Sequence, residues 1–236
     1  MSSAPVSDEG GFYLLASTAL PDARYQARLL KTDQLGEVIW QRDFAPSAGE
    51  YGYGRGMLVL ADQSVMVQYS DGRQSHLSIV EPDGTLRWDK ATTDDYVSNQ
   101  FRDINLVQLA DGSVVTHRTT RVNLRSELSL NRYSLTGELL DEWSITGFTH
   151  RDPLTGMKLT KAGKLLLMGR PSTELSTVQI WQFDPDTQSV DWEWETGSFN
   201  TGAKEVNDVV ELPNGNILAA VESLTYDSEG EVTHQL

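Results

Sequence analysis

The side chains able to do chemistry are few. The chain has no cysteine and four histidines, His76, His117, His150 and His234. Thiolate nucleophiles, disulfides and Cys-based zinc or iron–sulfur sites are therefore excluded. No two histidines stand at metal-ligand spacing, and HExxH, GxSxG, Walker A and GxGxxG are all missing. What remains is a set of polar residues that recurs just before four apolar runs. The set is Arg55, then Arg102 and Asp103, then His150, Arg151 and Asp152, then Asn207 and Asp208. Two uses of such a set follow from its chemistry. Each arginine can hold an aspartate in a bidentate fork and tie neighbouring elements together. A ring of arginines can instead bind an anionic ligand, with His150 beside it as a general acid or base. Tyr51, Tyr53, Tyr96, Arg121, Arg125 and Arg170 fall in the same class of loop. Tyr and Arg are favoured at interface hot spots, so these six point to a protein or peptide partner. No metal site, cofactor or catalytic residue is assigned. The segment Asp227 to Glu231 reads as an acidic loop.

These residues are positioned by an internal repeat. Four segments share an apolar run, a tight turn and a second apolar run: Met57–Val67, Leu106–Val115, Met157–Leu167 and Val209–Leu218. Their turns, at Asp62, Asp111, Ala162 and Asn214, are 49, 51 and 52 residues apart. Asp-Gly and Asn-Gly between apolar runs are the strongest short hairpin signal, and they predict type I′ turns. A second hairpin follows each first one, with turns at Asp83-Gly84, Thr136-Gly137 and Asp184-Pro185-Asp186, and an early copy at Gln34-Leu35-Gly36. A tryptophan comes after each of these turns: Trp40, Trp88, Trp143, and the pair Trp192 and Trp194. Large aromatics at one fixed place suit the space between stacked sheets. Two hairpins per repeat make one four-stranded antiparallel sheet. The expectation is an all-β fold, a β-propeller of about five four-stranded antiparallel blades, incomplete or closed by the C-terminal strand. Residues 11–236 would form this single domain, with residues 1–10 a disordered N-terminal tail.

The repeats resemble those of the PQQ-like, quinoprotein-type β-propeller superfamily. The resemblance lies in Leu77 to Trp88 and in Leu130 to Trp143, an apolar strand, an Asp/Thr-Gly turn and a following tryptophan. The hairpin Leu212-Pro213-Asn214-Gly215-Asn216 is more weakly similar to arylsulfotransferase-type propellers. The superfamily implies a non-catalytic scaffold on one side and quinoprotein dehydrogenases on the other. The large ring, calcium ion and vicinal cysteines of the dehydrogenases have no counterpart here. The resulting expectation is a non-catalytic scaffold that binds a protein or peptide through its loop face. The alternatives are an arylsulfotransferase-like or lyase-like enzyme, or an anion- or sugar-binding module, with a site at the channel mouth.

Charge and length bound the rest. The 236 residues hold 34 acidic and 19 basic side chains, a net charge of −15. Residues 1–170 carry 18 basic and 21 acidic groups, whereas residues 171–236 carry one basic and 13 acidic. The net charge of −15 argues against nucleic acid and anionic membrane surfaces as partners, and the acidic end reads as a solubilising surface or as a docking face for a basic partner or a cation. No apolar run reaches the ~18 residues that a spanning helix needs. No signal peptide is visible, and a periplasmic or extracellular location is the expectation, drawn from the tether-like first ten residues.

Overall fold

The structure is a computed structural model. It describes residues 2–5, 10–92, 106–122, 125–145, 154–169, 178–195, 204–226 and 232–235, with backbone alone at 2–5, 118–122, 125–127, 204–205, 222–226 and 232–235. Every regular element among them is a strand, and no helix is long and apolar enough to cross a membrane.

The first sheet has the order β1 (Ser2–Pro5), β2 (Phe12–Ala19), β3 (Tyr25–Thr32), β4 (Val38–Phe44). The second has β5 (Tyr53–Val59), β6 (Val65–Ser70), β7 (Ser75–Val80), β8 (Leu86–Ala91). The third joins β9 (Val107–Gln108), β10 (Val114–Val122), β11 (Arg125–Tyr133) and β12 (Leu139–Ile145). The fourth has β13 (Leu154–Leu159), β14 (Leu165–Gly169), β15 (Gln179–Asp184) and β16 (Ser189–Glu195). The fifth has three strands, β17 (Lys204–Glu211), β18 (Ile217–Tyr226) and β19 (Val232–Gln235). In each sheet the chain runs straight across as an antiparallel meander, the all-β architecture expected from the repeat.

At the ends, the expectation of an N-terminal tail is corrected and one of the C-terminal alternatives is decided. Residues 2–5, read as tail, pair antiparallel with β2, Ser2 opposite Leu15 and Pro5 opposite Phe12. The first sheet is thus completed by the N-terminal segment. The C-terminal strand β19 pairs with β18 instead, Ser223 opposite Gln235 and Tyr226 opposite Val232. Contacts divide the chain into two compact units. Unit 1 is Met1–Gln108, Gly112–Val114 and Arg132–Leu140; unit 2 is Leu109–Asp111, Val115–Asn131 and Asp141–Leu236.

The core of unit 1 shows why the pattern folds this way. Every residue of β6 is buried. Its alternate side chains serve opposite faces, as the two-residue period of a strand requires. Val65, Val67 and Tyr69 join Tyr13, Leu15, Ala27 and Leu29 of the first sheet. Met66 joins Leu60, Leu77 and Ile79, with Leu106, Val114 and Tyr133. In unit 2, Leu166, Met168 and Ile180 pack against Val206 and Val209.

The turns differ in type from expectation. In Glu81–Thr85 the Gly84 amide donates to the Glu81 carbonyl at 2.9 Å and the Glu81 amide to the Thr85 carbonyl at 2.8 Å. Gly84 alone of the turn has positive φ, at 87°. That is a type I turn closed by a left-handed residue, not the type I′ form with two positive φ values. Asp83 accepts the Thr85 amide at 2.9 Å, which is what an Asx side chain does in such a turn. The same hydrogen-bond pair recurs at Leu60, Asp33, Ser134, Thr160 and Leu212. At the Leu60 turn the left-handed place is held by Gln63, with φ of 67°.

Two irregularities repeat as faithfully as the turns. In the outer strands the register slips by one residue just before the tryptophan. Thr32 faces Val38 but Lys31 faces Trp40; Val80 faces Leu86 but Ile79 faces Trp88; Phe183 faces Val190 but Gln182 faces Trp192. A bulge re-aims the next side chain. Trp40 and Trp88 are thereby turned onto the following sheet, where their indole N–H groups donate to the carbonyls of Pro82 at 3.0 Å and Leu135 at 2.8 Å. Trp143, in unit 2, packs on Phe183 with ring centroids 5.4 Å apart.

Two substitutions test these points by thermal or denaturant unfolding. Gln63→Gly should raise stability by up to ~1 kcal/mol, because it removes the side-chain clash of the left-handed conformation while the backbone bonds stay. Trp88→Phe should lower it by ~0.5–1.5 kcal/mol, the worth of one hydrogen bond.

Candidate functional site

Three connections of unit 1 come together at one end of its first two sheets. They are the β2–β3 turn (residues 20–24), the β4–β5 loop (residues 45–52) and the β6–β7 turn (residues 71–74). The Gly52 amide donates to the Tyr25 carbonyl and the Ser47 amide to the Asp71 carbonyl, both at 2.8 Å. The packing is close. A Cβ on Gly72, whose φ is 94°, would lie 2.5 Å from the Glu50 Cβ. Loops held this firmly are a rigid platform for side chains.

Three tyrosines stand on it. Tyr25 and Tyr53 stack with centroids 6.0 Å apart, and Tyr25 and Tyr51 lie 6.3 Å apart. Tyr25 and Tyr51 are 40% and 46% exposed, so their faces are open to a ligand. Arg55 lies with its guanidinium 5.7 Å from the Tyr53 ring centroid. It is buried, and burial lowers its pKa from the ordinary arginine value. Its position has a structural cause. Gly54 faces Tyr69 and Gly56 faces Gln68, which leaves Arg55 as the extra residue of a bulge in β5. Arg24 pairs with Asp22 at 2.7 Å, and Arg73 with Glu50 at 3.7 Å, at the rim.

The bulge in the inner strand is itself repeated. Thr155 is skipped in β13 and Asn207 in β17, so Arg55, Thr155 and Asn207 each stand seven residues before their turn residue. Sequence reading joined Asn207 with Asp208 as one polar pair. The geometry separates them: Asn207 occupies the bulge, while Asp208 forms an ion pair with Lys158. The expected Arg–Asp fork is thus a Lys–Asp pair at this position.

Beside the platform lies a polar cluster that sequence reading missed. His76 has its Nε2 3.5 Å from Asp71 and its Nδ1 3.4 Å from Asp89. The Tyr69 hydroxyl donates to Asp89 at 2.8 Å, and the Ser78 hydroxyl donates to the same carboxylate at 2.7 Å. Asp71 accepts from the Ser47 hydroxyl at 2.7 Å and from the amides of Arg73 and Gln74. The Tyr69 and His76 rings stack at 4.8 Å. Asp89 and then Asp71 raise the His76 pKa, against the opposing pull of burial. Burial opposes ionisation of both aspartates, yet their hydrogen bonds outweigh it and hold both below the usual carboxylate range. Burial, with Asp89 beside it, pushes the Tyr69 phenol up.

Of the residues nominated from sequence, Tyr51, Tyr53 and Arg55 are brought together in unit 1. Asn207 and Asp208 lie on β17 of unit 2. Arg121 and Arg125 lie on β10 and β11 rather than in loops. Tyr96, Arg102, Asp103, His150, Arg151, Asp152 and Arg170 fall outside the described residues. Tyr25 was findable, since it follows a turn that opens on the same face as the long loops. His76 was not, because its two carboxylates are five and 13 residues away and meet it only through strand pairing.

The sequence matches no protein-family model and no curated protein. Solved structures do share the fold. A neuraminidase-like protein of A/little yellow-shouldered bat/Guatemala superposes with a TM-score of 0.59 at 13% identity, over 99% of this chain and 77% of that one. A protein of unknown function from Bacteroides caccae gives 0.55 at 15% identity, over 95% and 81%. A mannose phosphorylase from Leishmania mexicana, in complex with phosphate ion, gives 0.50 at 15% identity, over 94% and 78%. With the five antiparallel sheets, these likenesses place the chain in the all-β, β-propeller class. They also overturn the expectation of a non-catalytic scaffold. Two of the proteins that share the fold are a neuraminidase-like protein and a mannose phosphorylase.

The His76 cluster makes a pH prediction. A histidine whose pKa is raised on folding adds stability below its unfolded value near ~6.5, and loses it as pH rises through the folded value. His76→Gln should therefore lower the melting temperature at about pH 5.5 and have a progressively smaller effect as pH rises through the raised folded value, where the stabilising charge is lost. A melting-temperature series across that range checks it.

Proposed function

We propose that this protein is a carbohydrate-acting enzyme of the β-propeller class, and that it receives its saccharide on the loop end of the first two sheets. The observation that carries the reading is the tyrosine group Tyr25, Tyr51 and Tyr53, with Arg55 behind it and Arg24 and Arg73 at the rim. Sugar rings present apolar C–H faces and a polar hydroxyl edge. Aromatic faces with a few polar groups around them match that pattern. Structural likeness to a mannose phosphorylase and a neuraminidase-like protein supports the same substrate class.

Glycosidic cleavage asks for two carboxyl groups with pKa values pushed apart. Asp71 and Asp89 do not supply this, since both are lowered. The proposal therefore concerns a substrate class and its binding surface, and the Asp71–His76–Asp89 cluster is read as the support beneath that surface. The PQQ-like resemblance is retained as a relation between repeats, in the turn and the tryptophan after it. A periplasmic or extracellular place of action belongs to the same reading, because polymeric saccharides are met there.

Calorimetric titration with neutral and acidic oligosaccharides tests the proposal. One class of saccharide should bind the native chain, and Tyr25→Ala and Tyr51→Ala should each weaken it by ~10-fold, a loss of ~1.4 kcal/mol. Both side chains are exposed, so these variants keep the fold. A chain that binds no saccharide at millimolar concentration, or binds one equally well without the two tyrosines, overturns the reading.

A further inference from the structure

The tyrosine platform is fixed by the turn that carries Asp71, and Asp71 faces His76. Tyr51 lies on the β4–β5 loop, which meets the β6–β7 turn at two places. The Ser47 hydroxyl donates to the Asp71 carboxylate at 2.7 Å, and the Ser47 amide donates to the Asp71 carbonyl at 2.8 Å. Gly72 lies against the Tyr51 backbone, so closely that a Cβ there would be 2.8 Å from the Tyr51 carbonyl oxygen. At its far end the loop is tied to Tyr25 through the Gly52 amide. A displacement of Asp71 therefore reaches both exposed tyrosines through directly touching groups.

His76 is the group whose charge can change near neutral pH. From β8, Asp89 faces its Nδ1 at 3.4 Å; from the β6–β7 turn, Asp71 faces its Nε2 at 3.5 Å. From β6, the Tyr69 ring stacks on it, and Tyr69 in turn meets the uncharged Phe44 of β4 at 4.4 Å. Asp89 and Asp71 are the charged groups that act on it. Both of its ring nitrogens are shut off from solvent. An imidazolium presents an N–H to each carboxylate, whereas a neutral imidazole presents one N–H and one bare lone pair. The bare nitrogen then opposes a carboxylate, and both carboxylates stay ionised because their hydrogen bonds hold them below the usual range. This cage is complete only around the cation. Its two walls differ in their freedom to yield. Asp89 stands on a strand and is fixed by hydroxyls of two neighbouring strands, those of Tyr69 and Ser78. Asp71 stands in a turn, held by Ser47 and by the turn's own amides. Loss of the proton therefore acts on Asp71.

We propose that His76 governs the tyrosine platform by its protonation: the imidazolium holds Asp71 where Ser47 and Tyr51 are fixed for saccharide binding, and the neutral ring releases that hold. For its ligand the inference rests on the saccharide reading; for the coupling of His76 to the loop it does not. His76 and Asp71 are positioning residues, since neither stands on the open faces of the tyrosines. The sign follows from which form binds. Saccharide binds more tightly to the protonated form, so affinity is highest below the His76 midpoint and falls as pH rises through it. That midpoint lies above the ordinary histidine value, because two carboxylates stabilise the cation. By reciprocity, saccharide binding raises the midpoint and takes up a proton. A ~10-fold gain in affinity corresponds to a rise of about one pH unit.

The test is an NMR titration of the whole chain from about pH 5 to about pH 8.5, a span that brackets histidine ionisation. The His76 ring signals give its midpoint. Without any saccharide, the Gly52 amide and the Tyr51 ring signals should shift with that same midpoint. In Ser47→Ala, His76 should still titrate while Gly52 and Tyr51 cease to follow it; a direct effect of the His76 charge would persist in that variant. Asp71→Asn should lower the His76 midpoint. Calorimetry then uses mannotriose, which has no titratable group. It should bind ~10-fold more tightly at about pH 5.5 than at about pH 8, and His76→Gln should remove the difference. Gly52 and Tyr51 signals that ignore His76, or that follow it unchanged in Ser47→Ala, overturn the proposal whether or not a saccharide binds. Equal affinity at the two pH values also overturns it, while leaving the saccharide reading intact. A chain that binds no saccharide overturns that reading instead, and the saccharide-free titration still decides the role of His76.

Discussion

The contact on which the structure depends is that of a tryptophan with the turn of the neighbouring sheet. A four-stranded sheet cannot bury both faces alone, so each must lean on the next. The leaning is directional because the indole N–H of Trp40 or Trp88 seeks one carbonyl, and because the turn glycine lets the ring approach to where an added Cβ would be only 3.0–3.1 Å away. The bulge before the tryptophan is what turns the side chain that way.

A second repeated irregularity lies behind the candidate site. The inner-strand bulge places Arg55 against Tyr53, and its equivalents place Thr155 and Asn207. A bulge aims a side chain that the regular pleat would send elsewhere. In these three copies the repeat therefore offers a position open to variation, while the alternation around it keeps the core. Polar chemistry can change there at small cost to packing.

Much of the fold was legible in the sequence because hairpins are local. The turn residues, the apolar run of β6 and the tryptophan after each second turn each follow from residues within about fifteen positions of one another. The turn type was misread for an instructive reason. Asp-Gly suits both type I′ and the type I turn with a left-handed glycine, and the flanking register decides between them. The first four paired residues were misread because Ser2–Pro5 carries no apolar signal, and only the waiting edge of β2 makes it a strand.

The sequence by itself determined the repeat, the all-β class and the acidic C-terminal region, since these rest on composition and short-range order. Tertiary structure alone decided which side chains meet. Tyr25 reaches Tyr51 and Tyr53 across two sheets, and His76 sits between Asp71 and Asp89 from three elements. Such encounters depend on register and bulges, which shift a side chain from one face to the other by a single residue. A spacing of about fifty residues says that two positions are equivalent; it does not say that their side chains point the same way.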